Sequence, residues 1–145
     1  MKELRLFSIV VLSLVLVVIL VTVIIPMIKN PIQRPRGMVR NYILEITPMG
    51  THIDDVINII EGRDSWTLGR VDFEMGFSPQ TSVRPCPERH PYLTVIGEMA
   101  VFANLGRYRA WYVMFGAPYV QVFARWGFDA DGNLIEVLVQ TSWIM

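Results

Sequence analysis

The stretch "YVQVFARWGFDADGNLIEVLVQTSW", residues 119–143, decides the fold. Its first ten residues alternate. Val120, Val122, Ala124 and Trp126 fall on one side, and Tyr119, Gln121, Phe123 and Arg125 on the other. An extended chain points successive side chains to opposite faces, so this alternation predicts a strand with one buried face. "FDADGNL" supplies a turn, with aspartates opening it and Gly132 where a positive φ is needed. "LIEVLVQTSW" then returns, with Ile135, Val137, Val139 and Thr141 on one side and Glu136, Leu138 and Gln140 on the other. The stretch is a β-hairpin, and its sheet is antiparallel.

Moving backward, "TVIGEMAVFANLGRYR" puts Met99, Val101, Ala103 and Leu105 on one face and Phe102 on the other. "AWYVMFGAP" is a bulky connection between these strands. "GRVDFEMGF" alternates Val71, Phe73, Met75 and Phe77 with polar residues or glycine, which predicts a further strand. Residues 78–91, "SPQTSVRPCPERHP", carry four prolines and no period, and read as a long exposed loop.

The period changes to that of a helix in "TPMGTHIDDVINIIEG", residues 47–62. Ile53, Val56, Ile57 and Ile60 share one face. Thr51 with Asp54 three residues on matches a capping box, and Gly62 is expected to end the helix in a left-handed turn. Asp54 and Asp55 sit in the first turn, where the helix dipole favours negative charge. Capping and dipole account for both aspartates without assigning chemistry to His52.

The N-terminus is different in kind. Residues 6–25, "LFSIVVLSLVLVVILVTVII", contain no charge. Twenty helical residues span roughly 30 Å, the thickness of a bilayer's hydrocarbon core. The run is longer than the apolar region of a secretory signal, and no small-residue cleavage site follows it. It is expected to be an uncleaved, single-pass signal anchor. Residues 26–38, "PMIKNPIQRPRGM", are expected to form a stiff, extended, proline-rich tether. The domain plan is therefore an N-terminal tail and transmembrane helix over 1–25, the tether over 26–38, and a small α+β domain over 39–145. In that domain one amphipathic helix packs on an antiparallel sheet of about four strands.

Charge separates some function classes. The 13 basic and 13 acidic residues balance, whereas a nucleic-acid binder carries a basic excess. Eleven of the basic residues are arginine, a composition more than a function. The single cysteine, Cys86, forms no intramolecular disulfide and leaves the compartment open. Lys29, Arg34, Arg36 and Arg40 after the span outnumber Lys2 and Arg5 before it, which favours a cytoplasmic domain. A short basic tail before the span is also the usual start of an exported protein.

Candidate constellations are thin. "CPERH" spaces Cys86 and His90 as in half of some zinc sites, but only His52 could join them. "DADGN" has its glycine fourth, not sixth as a calcium loop requires, and reads as a turn. The aromatic content is more informative, with Tyr108, Trp111, Tyr112, Phe115, Tyr119, Phe123, Trp126 and Phe128 close together. One helix covers only one face of such a sheet. The other face carries Tyr119, Gln121, Phe123, Arg125, Glu136, Leu138 and Gln140, a mixture of aromatic, arginine and amide groups suited to binding a protein. The bland alternative is a half-wet face, or one covered by the 78–91 loop.

Two segments resemble known families. "TPMGTHIDDVINIIEG" is similar to the helix opening of small envelope domains, those of the outer-membrane assembly lipoproteins and the β-lactamase-inhibitor-protein-like fold. "WGFDADGNLIEVLV" is similar to their closing hairpin. Residues 42–143 resemble more closely an uncharacterised family of membrane-anchored proteins of Gram-positive bacteria, through "GEMAVFANLGRYR" and "VQVFARWGFD". The resemblance implies a helix packed on an antiparallel sheet, used for protein binding or scaffolding outside the cytoplasm, with no catalytic residues. The lipoprotein cysteine is absent, and the long proline loop departs from the better-known domains.

The expectation is a non-enzymatic membrane protein, cofactor-free, with a protein partner on its open sheet face. The alternative is a small enzyme or metal-binding protein using His52, Cys86 and His90. A purely structural subunit of a larger membrane complex is the third reading.

Overall fold

The computed structural model describes residues 2–80, 94–109 and 119–144. The element order is α1 (Lys2–Ile19), a π-helical segment (Leu20–Ile24), α2 (Ile25–Lys29), a 3₁₀ turn (Pro31–Gln33), α3 (Arg36–Ile46), α4 (Ile53–Glu61) and strands β1 (Thr67–Asp72), β2 (Met99–Arg109), β3 (Tyr119–Phe128) and β4 (Leu134–Ile144). The strands form one antiparallel meander in the order β1-β2-β3-β4. The fold is α+β, as the alternating hairpin requires.

One face of the sheet builds the core. Val101 pairs with Trp126 and Trp126 with Val137; Ala103 pairs with Ala124 and Ala124 with Val139. All six are buried, under α3 and α4. From α4 come Ile53, Val56 and Ile60, the face set by the helical spacing. From α3 come Val39 and Ile43. At the centre, the Trp126 indole N–H donates to Thr47 Oγ1 at 3.0 Å, and that hydroxyl donates to the Ile43 carbonyl at 3.0 Å. Trp66 packs beside it, ring centroids 6.2 Å apart. The turn after β3 forms as the aspartate–glycine signal predicts. Asp129 Oδ1 accepts from the Asp131 and Asn133 amides, and Gly132 has φ +82°.

Several expectations are corrected. The single membrane-crossing helix expected over 6–25 is not found: no helix among the described residues is long and apolar enough to cross a membrane. Element α1 has 18 residues and includes Lys2, Glu3 and Arg5, and the rest of the apolar run belongs to the π segment and α2. The break has a local cause. Pro26 has no amide hydrogen to bond four residues back, and just before it the Ile25 amide reaches five residues, to the Leu20 carbonyl.

The extended tether over 26–38 is also absent. Those residues enter α2, the 3₁₀ turn and the start of α3. Ile32 is buried in the core, so the packed structure begins before residue 39.

The cap of α4 is His52, whose Nδ1 accepts from the Asp54 amide at 3.4 Å. Thr51 instead donates its hydroxyl to the Pro48 carbonyl. Gly62 ends α4 at φ −73°, in the right-handed region. Strand β1 starts earlier than its alternation implies and runs out of phase at its end: Asp72 is buried and Phe73 is 61% exposed. In β4, a register shift lets Glu136 pair with Gly127 and Leu134 with Phe128. This bulge turns Ile135 outward and buries Leu134 in its place.

Strand β4 is a sheet edge, and α3 guards it. Arg40 Nε donates to the Val137 carbonyl at 2.9 Å, and Arg40 Nη2 binds Glu136 Oε1 at 2.7 Å. The same carboxylate accepts the Val137 amide at 2.8 Å. One turn earlier on α3, Arg36 donates to Thr141 Oγ1 at 2.8 Å.

Candidate functional site

The face of the sheet turned away from α3 and α4 holds the candidate site. Its side chains come in cross-strand rows, because residues paired across an antiparallel sheet point the same way. Phe102, Arg125 and Leu138 make one row; Asn104, Phe123 and Gln140 make the next. A groove of about 730 Å³ runs over them, lined among others by Gly69, Phe102, Phe123, Arg125, Gln140 and Ser142.

Two local irregularities shape this groove. The β1–β2 register shifts between Leu68 and Val71, opposite Phe102. Gly69 sits in that shift, and a Cβ there would come within 3.1 Å of the Phe102 carbonyl oxygen. Next to it, the Arg70 guanidinium lies 4.5 Å from the Phe102 ring centroid. On β2 a second shift falls at Gly106, φ +122°, whose amide donates to Asn104 Oδ1 at 3.0 Å.

Arg125 is the electrostatic centre. Its residue is only 5% exposed, and burying a cation is costly unless polar groups replace water. Nη1 donates to the Ser78 carbonyl at 3.0 Å, and the guanidinium lies 5.5 Å from the Phe102 ring. Burial, and then the charge of Arg70, lower its pKa from the usual arginine value. An arginine stays protonated even so, so the groove floor carries a fixed positive charge. Nearby, Gln140 Nε2 donates to the Pro79 carbonyl at 3.4 Å. Residues 78–80 thus lie over one part of this face.

The seven residues proposed from sequence do not all meet. Phe123, Arg125, Leu138 and Gln140 share the groove rows. Tyr119 and Gln121 continue the face toward its far end, with Tyr119 46% exposed and under the Arg107 guanidinium at 5.2 Å. Glu136 is committed to Arg40 at the β4 edge. Burial raises its pKa, but the Arg40 hydrogen bond, the Val137 amide and the Arg40 charge together bring it below the usual carboxylate value. Sequence reasoning omitted Phe102, Arg70 and Gly69. Phe102 was legible as facing this side; the other two enter only through strand pairing.

Of the residues of the alternative reading, His52 does not line the groove. His52 caps α4 and pairs by backbone with Asn133, beside the Asp129–Asn133 turn. Cys86 and His90, like Trp111, Tyr112 and Phe115, lie outside the described residues. Among the described residues, no group of three His, Cys, Asp or Glu side chains could hold a metal ion. The groove offers guanidinium and amide donors over two phenyl rings, an arrangement fitted to recognition by contact.

No protein-family model, curated protein or solved structure matches this chain. The resemblance to envelope families rests on the short motifs quoted above.

Proposed function

We propose that this chain is a membrane-anchored, non-enzymatic domain that holds a protein partner against the helix-free face of its sheet. The observation that carries the reading is the groove, whose floor joins Phe102 and Phe123 to the buried Arg125, with Asn104 and Gln140 beside them. Aromatic and arginine side chains at the centre of a concave face are the usual anchors of a protein interface.

Anchoring is supported by the N-terminal arm. From Lys2 to Lys29 it runs through α1, the π-helical segment and α2. Phe7, Leu14 and Ile28 are each at least 66% exposed, an apolar surface that water disfavours. Each helix taken singly falls short of a span. Taken as one rod, the uncharged stretch of residues 6–25 reaches roughly 30 Å. Confinement to the bilayer would raise the effective concentration of the domain near a membrane partner. The resemblance to membrane-anchored envelope domains points the same way.

The test uses the full chain in its membrane. A photo-crosslinker at Gln121 is expected to capture one partner, and Phe123→Ser is expected to abolish the adduct. An adduct unchanged by Phe123→Ser, or none at all, refutes binding at this face. Labelling Cys86 with an impermeant thiol reagent reads the side of the membrane.

A further inference from the structure

We propose that the arm-proximal end of the sheet rests on the bilayer surface and binds anionic lipid headgroups, with Trp143 and Tyr119 seated at the interface. This rests on the anchoring reading above and adds the lipid class and the residues.

The fold fixes which end of the sheet is next to the arm. Element α2 ends at Lys29, and the Pro31–Gln33 turn follows at once. Ile32, in that turn, is buried, and its Cδ1 would be 3.3 Å from a Cβ built on Gly106. Arg36, at the start of α3, bonds Thr141. The arm therefore leaves the domain where β2 and β4 end and β3 begins. That end comprises residues 104–109, 119–122 and 141–144.

Charge is segregated along the sheet. Residues 29–36 and the three strand ends contain Lys29, Arg34, Arg36, Arg107 and Arg109, and no aspartate or glutamate. The α4–β1 turn, which adjoins this end where Thr67 pairs with Asn104, adds Glu61 and Asp64 together with Arg63. At the opposite end lie Asp54, Asp55, Asp72, Glu98, Asp129 and Asp131, gathered around the β3–β4 turn and the start of α4. A chain of zero formal charge is thus polarised, with its basic end beside the arm. An anionic leaflet attracts that end and repels the other.

The same end displays the side chains that favour the headgroup layer. Trp143 is 51% exposed, Tyr119 46% and Ile144 40%. Tyr119 pairs with both Arg109 and Ile144 across the sheet, and the Arg107 guanidinium lies over its ring. Amphipathic rings beside basic groups are the composition of a membrane-interface belt. Seated this way, the groove opens sideways, along the membrane, at a fixed height above it.

The test is made on the full chain in vesicles of phosphatidylcholine, with and without phosphatidylglycerol. Trp111→Phe is the common background; Trp66 and Trp126 are core residues and serve as controls. Brominated lipids are expected to quench Trp143, more strongly in the anionic vesicles, and Trp143→Phe is expected to remove that component. Arg107→Gln with Arg109→Gln should weaken surface contact about 25-fold, at about fivefold per arginine. The paired lysine substitutions should restore it, which a misfolded variant would not do. Quenching indifferent to phosphatidylglycerol and to both arginines overturns the proposal. So does shielding of Trp143 from acrylamide that rises with protein density without bromolipid quenching, the mark of a second copy on this end. A chain that fails to float with vesicles after carbonate washing refutes anchoring itself. Flotation with an unquenched Trp143 refutes only the present inference.

Discussion

Thr47→Val is the sharpest test of the core. Valine keeps the branched shape of threonine and removes its hydroxyl. That oxygen accepts the indole N–H of Trp126 at 3.0 Å and donates to the Ile43 carbonyl at 3.0 Å. The Ile43 carbonyl keeps a partner after the change, because the Thr47 amide also donates to it at 2.8 Å. The indole N–H is left facing a methyl group, and Trp126 is 0% exposed. One buried, unsatisfied donor costs about 1–3 kcal/mol. In a domain of this size that lowers the melting temperature by roughly 4–8 °C per kcal/mol. In a Trp126→Phe background no indole N–H remains, so Thr47→Val should cost less by about 1–2 kcal/mol, the coupling of the pair. Thermal melts of the four proteins, followed by circular dichroism in one detergent, measure both quantities. Equal losses in the two backgrounds would refute the reasoning, as would a single variant melting with the wild type.

Other outcomes follow from the same geometry. Ile32→Ala should destabilise the domain by about 2–4 kcal/mol in a urea titration, because this residue belongs to the core and not to a free linker. Gly76→Ala should cost about 3 kcal/mol, since its Cβ would overlap the Ile96 and Gly97 carbonyl oxygens. Stability should fall as pH drops below the ordinary carboxylate range. Glu136, despite burial, is held low by Arg40 and the Val137 amide. Asp129 is held low first by the Asn133 amide. A depressed folded pKa gives stability that is present above the unfolded pKa and is lost as pH falls through the folded one. Glu136→Gln should flatten that acid limb, and an unchanged limb would count against the Arg40 clasp.

Much of this architecture was legible in the sequence, for a physical reason. Alternation over β3 and β4 reports a one-sided sheet directly, and Val120, Val122, Ala124 and Trp126 are all buried as that pattern requires. The helical spacing of Ile53, Val56 and Ile60 is equally direct. What was missed depends on single residues that shift phase. Ile135 is the bulge residue of β4, and one extra residue exchanges the faces of Ile135 and Leu134. Helix α3 went unread because Val39 and Ile43 alone make its buried stripe, and Pro35, which reads as a break, stands as its N-cap. The groove was half legible. Phe123 and Arg125 follow from alternation within their own strand. Arg70 reaches Phe102 only through the β1–β2 register, which no local pattern encodes.

The Arg40–Glu136 clasp has a consequence beyond the acid limb. Together they occupy both peptide groups of Val137 on the outer margin of β4. If the chain is anchored as proposed above, copies confined to one membrane plane would meet edge to edge. A bare strand margin would let neighbours zip into ribbons under those conditions. The two side chains act as a bolt on that seam, because the Val137 carbonyl and amide are already taken where a neighbouring strand would have to bond.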